Sequence, residues 1–276
     1  MLRRRIMDIK TSSDLKQIVK EHYTEIVEKS EQKAASSCCG SACGCSSEVD
    51  VMVEDYSNVQ GYVKEADLAL GCGIPTEFAK IKTGDTVVDL GAGAGNDCFV
   101  ARSIVGESGK VIGLDMTEKM IAKANANNAK LGFSNVKFLL GDIESMPIES
   151  NAADVVVSNC VLNLVPDKRK AFAEMFRIIK PGGHFTVSDI VLEGNLPEQL
   201  KEVAVMYAGC VSGAIQKKEY LALLDEAGFR SVTVVKIRNT DLPDDLLLQH
   251  VSPNVLQVYK NSGAGIFSIT VYGEKP

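Results

Sequence analysis

The run Val87-Val88-Asp89-Leu90-Gly91-Ala92-Gly93-Ala94-Gly95-Asn96 sets three glycines at alternate positions, behind a β-branched apolar stretch and ahead of a helix-forming one. Glycines so spaced let backbone amides come close to a ligand, and Asp89 offers a carboxylate that can meet an ammonium group or fix the loop through its amides. One strand-helix unit later, Val111-Ile112-Gly113-Leu114-Asp115 ends in an acid placed to accept hydrogen bonds from ribose hydroxyls. After a third apolar run, Gly141-Asp142-Ile143-Glu144 offers Asp142 to an adenine amino group and Ile143 to pack on its ring. Singly, the glycine run also reads as an ordinary strand-to-helix turn and Asp142 as a solvated cap. Dinucleotide-binding loops carry their third glycine one position later, where this chain has Asn96, so the order of features favours S-adenosylmethionine over a nicotinamide cofactor.

The second chemistry-bearing set is cysteine. Of eight, Cys38, Cys39, Cys43 and Cys45 crowd one segment, and Cys72, Cys98, Cys160 and Cys210 are scattered. Cys72 lies in the turn Leu70-Gly71-Cys72-Gly73-Ile74-Pro75, Cys160 just beyond a fourth strand and Cys210 beyond a fifth. A lone cysteine is commonly a small buried hydrophobe, and Cys98, on the helix after the glycine turn, is read that way. His22, His184 and His250 have no ligand spacing and are read as core or solvent residues.

Positioning these residues requires a sheet. Short β-branched runs alternate with helical patterns after Gly84, the mark of a βαβ architecture with right-handed crossovers. Strands are expected at Thr86 to Leu90, Lys110 to Leu114, Val136 to Leu140, Asp154 to Ser158 and His184 to Ile190, with helices at Asn96 to Val105, Glu118 to Leu131 and Lys168 to Ile179. Two late strands, Ser231 to Arg238 and Ile266 to Gly273, flank a helical stretch around Asp245 to His250. Ahead of the sheet, three-and-four apolar spacing predicts a helix from Asp8 to Ser30, capped by Ser12 or Ser13, and a helical pattern from Gly61 to Ala69. Ala34 to Ser47 has no such period and reads as a loop.

The 276 residues, 45% apolar, suffice for one sizeable core. The formal charge of -6 comes without a basic stripe or tail, which argues against nucleic-acid and anionic-membrane partners, and the chain has no apolar run of membrane-spanning length. Arg3-Arg4-Arg5 is followed by polar residues rather than by a signal-peptide core, so a cytoplasmic protein with reduced thiols is expected.

The Asp89 turn, Asp115, Asp142 and the Lys180-Pro181-Gly182-Gly183 turn together resemble the class I methyltransferase family, over roughly Thr83 to Leu192. That resemblance implies an α/β, Rossmann-like fold: a seven-stranded, mostly parallel sheet with an antiparallel last strand, plus small helical and loop additions. It also implies a cofactor site drawn from Asp89, Gly91, Gly93, Asn96, Asp115, Met116, Asp142, Ile143 and Asn159. Further strings narrow the family. Gly71-Cys72-Gly73, Gly113-Leu114-Asp115-Met116-Thr117, Ser158 through Lys168 (SNCVLNLVPDK), Gly209 through Ala214 (GCVSGA) and the cysteine-bearing amino-terminal segment resemble arsenite methyltransferases, from about Val19 to Phe229.

This second resemblance implies trivalent arsenic held by Cys72, Cys160 and Cys210, with arsenite or its thiol conjugates as substrate. The chemistry suits it, because soft thiolates prefer a soft centre whose lone pair is then the nucleophile. Each methyl transfer formally oxidises arsenic, so thiols must return electrons between rounds. Cys38 or Cys39 is the expected relay to an external reductant such as thioredoxin or glutathione, with Cys43 and Cys45 also open to the role. The same segment also reads as a metalloid-capture loop or as a tail without a role. The organisation expected is residues 1–82 for the amino-terminal helix, cysteine-rich loop and substrate-site segment, 83–192 for the cofactor core, and 193–276 for a substrate-site helical segment with Cys210 and the final strands completing the sheet. Alternatives are a methyltransferase for a small organic acceptor and a thiol-based metalloid-binding protein.

Overall fold

A computed structural model describes residues 11–36, 53–197, 199–200, 209–240 and 242–276, with the backbone alone described at 33–36, 209, 210 and 246. Seven strands form one sheet: β1 (Thr86–Leu90), β2 (Lys110–Asp115), β3 (Val136–Leu140), β4 (Ala153–Asn159), β5 (Ile179–Glu193), β6 (Arg230–Asn239) and β7 (Gly265–Glu274). Their order is β3-β2-β1-β4-β5-β7-β6. Strands β1 to β5 pair in parallel, while β7 runs antiparallel to both β5 and β6. The sheet is therefore the expected one, with β7 as its antiparallel member.

The central strands are unbroken apolar runs because both faces are covered. Val87, Val88 and Leu90 of β1 and Val155, Val156 and Val157 of β4 are fully buried. One face packs Phe172, Phe185, Tyr220 and Phe229, where the rings of Phe185 and Phe229 meet edge to face at 4.6 Å between centroids. The other packs Phe99, Val105 and Phe138. Edge strand β6 instead alternates exposed and half-buried positions and carries Lys236 and Arg238, which discourage pairing with another chain.

The helices are α1 (Ser12–Ser36), α2 (Pro75–Phe78), α3 (Asn96–Val105), α4 (Glu118–Leu131), α5 (Lys168–Ile178), α6 (Lys217–Glu226), α7 (Asp244–Leu247) and α8 (Pro253–Asn261). The first departs from expectation. Its cap is Thr11, whose Oγ1 accepts from Asp14 N while Asp14 Oδ2 accepts from Thr11 N, a reciprocal box that neither Ser12 nor Ser13 forms. It also runs on to Ser36, and the expected start at Asp8 lies outside the described residues. Thr11→Ala should weaken this end by about 1 kcal/mol. The expected result is roughly fivefold faster hydrogen exchange at the first-turn amides, with the sheet amides unchanged.

The helix expected from Gly61 to Ala69 is only a 3-10 turn, Lys64–Ala66. Gly61 and Ala69, at φ +87 and +55, bracket it with left-handed backbone that an α-helix cannot pass through. The turn before β5 is instead the start of the strand: Ala153 pairs with Ile179, the register then shifts, and regular pairing resumes at Val155 with His184. Helix α6 lies in the segment expected to be helical beside Cys210, whereas α8 lies beyond the expected stretches, although Ser252 caps it and Pro253 opens it.

Candidate active site

A cleft opens at the carboxyl ends of β1, β2 and β4 and is lined by residues from seven segments, among them Asp89, Gly91, Asp115, Ile143, Asn159 and Cys160. Its floor is the glycine turn. Gly91 N and Ala92 N both donate to Leu114 O, and Gly93 N donates to Asp115 Oδ2 at 3.0 Å. Gly91, at φ +73, lies so close to β4's outgoing loop that a Cβ would stand 2.6 Å from Val161 Cγ1. Asp115 Oδ1 also accepts from Thr117 N at 2.8 Å, so this acid fixes the loop as well as facing the cleft. Met116 and Asn96 line the wall, and Asn96 Oδ1 is buried without a hydrogen-bond partner among the described residues.

The outer wall is α1, which the sequence did not connect with this cleft. Lys16, Val19 and Tyr23 face into it. Lys16 Nζ bridges Asp142 Oδ2 and Glu144 Oε2, both at 2.6 Å, and Asp142 Oδ1 accepts from Glu144 N at 2.9 Å. Lys20 adds a bond to Glu118 at 3.0 Å. Ile143 is buried beside this clasp.

Beneath the glycine turn lie two acids, Asp89 and Asp97, 2% and 8% exposed. Burial lifts both, Asp89 well above the usual carboxylate range with a further push from Asp97, and Asp97 to about 6. Cys98 Sγ donates to Asp89 Oδ2 at 3.2 Å, and burial followed by that carboxylate pushes the thiol up, so it remains protonated. Asp97 accepts from the Tyr56 hydroxyl at 2.8 Å and from Asn159 Nδ2 at 3.2 Å. Neither Asp97 nor Tyr56 was singled out in the sequence. An acid in the first turn of a helix carries no local sign of a partner 41 residues away.

The Cys72 turn is fastened to the sheet by its backbone. Asn159 Oδ1 accepts from Cys72 N at 3.0 Å and Gly73 N at 3.3 Å, while Cys72 O accepts from Ser268 Oγ of β7 at 2.6 Å. Both flanking glycines are required, since a Cβ on Gly71 would overlap the Asn159 amide and one on Gly73 would stand 2.5 Å from Ser188 Oγ. Cys160 closes β4 in left-handed backbone at φ +59, its N–H donating to Ser188 O at 2.7 Å. Such a conformation costs a non-glycine residue about 1 to 3 kcal/mol and is retained where the surroundings impose it.

Cys72 and Cys160, 1% and 3% exposed, belong to one apolar cluster with Ile190, Leu192 and Val211. Val211 follows Cys210 in the 3-10 turn Gly209–Gly213, which packs so closely on the Leu162–Leu164 turn that a Cβ on Gly213 would overlap Asn163 O. The backbone thus brings the three cysteine-bearing turns to one place. Cys38, Cys39, Cys43 and Cys45 lie outside the described residues.

Behind the cluster, Asp189 of β5 is fully buried, accepting from Ile190 N at 3.0 Å and from the Tyr220 hydroxyl at 3.3 Å. Burial lifts its carboxyl to about 7 against the opposing pull of Lys168. The folded chain therefore binds this proton more tightly than the unfolded chain, so the stability it confers is present below about pH 4 and is lost as pH rises towards 7. Asp189→Asn should flatten the stability profile in that window by up to about 1.4 kcal/mol per pH unit, read from urea midpoints between pH 4.5 and 8.

An open sheet with its antiparallel β7 one place in from the edge, and a glycine turn at the end of β1, defines a methyltransferase of the S-adenosylmethionine-dependent class. Residues 81–228 match the family model described as a methyltransferase domain. Over 95% of its length the chain is 36% identical to an arsenite methyltransferase of Halobacterium salinarum, of which it spans 67%. The human arsenite methyltransferase is 39% identical across 56% of this chain and 45% of that protein. The structure of an arsenic (III) S-adenosylmethionine methyltransferase from Chlamydomonas reinhardtii superposes with a TM-score of 0.61 at 33% identity, covering 73% of this chain and 66% of that one. The chain belongs to the arsenite methyltransferase family. No helix among the described residues is long and apolar enough to cross a membrane.

Proposed function

We propose that this chain methylates trivalent arsenic, taken as arsenite or its thiol conjugates, and the observation that carries the reading is the convergence of the Cys72, Cys160 and Cys210 turns beside the glycine cleft. The cleft residues suit S-adenosylmethionine. Gly91 keeps a cradle that a Cβ would fill, Asn96 offers an unpartnered oxygen, and the buried Asp89 and Asp97 suit a cationic amino-acid end. Bound there, the cofactor supplies an electrophilic methyl group on a sulfonium.

In this reading Asp89 and the bare glycine turn from Gly91 to Gly93 border the amino-acid portion, Asp115 accepts from ribose hydroxyls, and Asp142 accepts from the adenine amino group with Met116 and Ile143 against its ring. Asn159 borders both halves of the site. Cys72, Cys160 and Cys210 bind arsenic through sulfur and leave its lone pair as the nucleophile, so no general base is required. Orientation is then the main service the protein performs. Electrons for further rounds come through Cys38 or Cys39 from thioredoxin or glutathione, which suits a cytoplasmic setting. The residue ranges 1–82, 83–192 and 193–276 divide the labour among thiol segment, cofactor core and the closing Cys210 segment.

The test is incubation of the full chain with arsenite, S-adenosylmethionine and a thiol, followed by chromatographic identification of arsenic species. Methylated arsenic is the expected product. Folded protein that binds the nucleoside yet forms none would overturn the proposal.

A further inference from the structure

A continuous hydrogen-bonded path joins the acidic end of the cofactor cleft to the thiol turn. It starts at Asp97, whose carboxylate accepts from the Tyr56 hydroxyl at 2.8 Å and from Asn159 Nδ2 at 3.2 Å. Asn159 Nδ2 also donates to Gly73 O at 2.8 Å, and its Oδ1 accepts from the amides of Cys72 and Gly73. One side-chain amide thus meets an acid and the Gly73 carbonyl with its nitrogen, and the amides of the cysteine turn with its oxygen. A flip of that amide would break bonds on both sides, so whatever fixes its orientation also fixes the turn.

The backbone amides of Cys72 and Gly73 and the carbonyl of Gly73 set that orientation, and the negative charge of Asp97 tightens it. An ionised carboxylate only accepts, which matches Tyr56 and Asn159 Nδ2 as donors, whereas a protonated one can itself donate and gives that arrangement less support. The surroundings oppose ionisation. Asp97 and Asp89 are both buried, Asp67 and Asp115 add negative charge nearby, and neither Asp97 nor Asp89 forms an ion pair with a Lys, Arg or His among the described residues. A cation entering between the glycine turn and these acids would hold both in the ionised form. S-adenosylmethionine and S-adenosylhomocysteine carry such a cation, the α-ammonium, and a nucleoside lacking the amino-acid portion does not.

We infer that Asp97, Tyr56 and Asn159 are positioning residues through which the ammonium end of the bound nucleoside tightens the hold on the Cys72 turn, so that the thiol is most firmly placed for its substrate when a complete cofactor is present. The inference rests on the cofactor reading given above. It implies coupling between the two half-sites that is blind to adenine and ribose and sensitive to the amino-acid end.

Hydrogen exchange of the full chain, read by mass spectrometry on a peptide spanning 70–74, reports the Cys72 and Gly73 amides directly. Calorimetry first establishes saturation with S-adenosylhomocysteine or with 5′-methylthioadenosine, which lacks the ammonium and carboxylate. S-adenosylhomocysteine should slow exchange in this peptide at least about tenfold, the size of an ordinary coupling, and methylthioadenosine should leave it near the ligand-free rate. Asp97→Asn should abolish the difference between the two ligands while methylthioadenosine still binds with unchanged affinity. Tyr56→Phe, a milder change, should reduce it.

Equal protection by both nucleosides would overturn the link and leave the cofactor reading intact. So would an Asp97→Asn chain that loses affinity for methylthioadenosine and S-adenosylhomocysteine alike, because that marks a scaffold residue. A native chain that binds neither nucleoside would overturn the cofactor reading itself.

Discussion

Cys160→Ser protein is expected to bind S-adenosylhomocysteine with unchanged affinity and to methylate arsenite at least about a hundredfold more slowly, the scale on which a misplaced reactant loses its advantage. The two halves of this result come from different surroundings. Cys160 lies at the rim of the cleft, yet its side chain belongs to the apolar cluster of Cys72 and Val211, away from the acids and amides of the glycine turn. Serine is close in size and keeps the left-handed backbone and the amide bond to Ser188 O. Its hydroxyl is a hard, weakly acidic donor in place of a soft thiolate, so a trivalent arsenic centre loses one of its three proposed ligands. The same substitution at Cys72 should act alike, since both thiols share the cluster. Rates of methylated-arsenic formation set beside calorimetric nucleoside binding measure both halves; unchanged methylation would remove the three-thiolate model.

Gly91→Ala is expected to produce the opposite pattern, with weaker nucleoside binding as its primary effect. At φ +73 a side chain costs about 1 to 2 kcal/mol in backbone conformation. The new methyl would also overlap Val161, and forcing a group into a packed space costs about 1 to 3 kcal/mol more. If even the lower part of that total is drawn from the bound state, affinity for S-adenosylhomocysteine falls at least about tenfold. Val161→Ala in the same chain should restore part of the loss, because it removes the two nearest colliding atoms but neither Val161 Cβ, 2.8 Å away, nor the strain of φ, and the double-mutant cycle measures the part removed. No recovery would show that the overlap is not the cause.

The parts of this molecule that could be read from its sequence are those in which neighbouring residues carry the signal. The buried strands β1 and β4 announce themselves as valine runs, and the glycine turn is recognisable because its conformation must be set by the residues it contains. The Gly61 to Ala69 segment misled because apolar spacing says nothing about φ, and two residues of left-handed backbone cut the helix to a single turn. Helix α6 has a legible pattern in Tyr220, Leu223 and Leu224, all buried, within the segment expected to be helical beside Cys210. Other features are illegible in principle. The clasp of Lys16 on Asp142 spans 126 residues, and the bond from Tyr56 to Asp97 joins a loop to a helix start. The placement of β7 between β5 and β6 is likewise a property of the folded sheet. The cofactor half was accordingly visible in outline, whereas the wall that α1 builds over it was not.

That placement of β7 carries a consequence for how the molecule comes into being. The glycine turn needs only β1, β2 and β4, all of which leave the ribosome before residue 160, and its bonds to Leu114 and Asp115 can then form. The Cys72 turn is made earlier in the chain but waits longer. Its carbonyl is held by Ser268, 196 residues downstream, and its far wall comes from the strand that slides between β5 and β6 at the end. During synthesis the residues that line the glycine cleft are therefore all made well before those that finish fastening the Cys72 turn. A nascent chain can thus hold the Cys72 amide through Asn159 long before it can hold the carbonyl, and the last of the described strands to be made is the one that completes the turn.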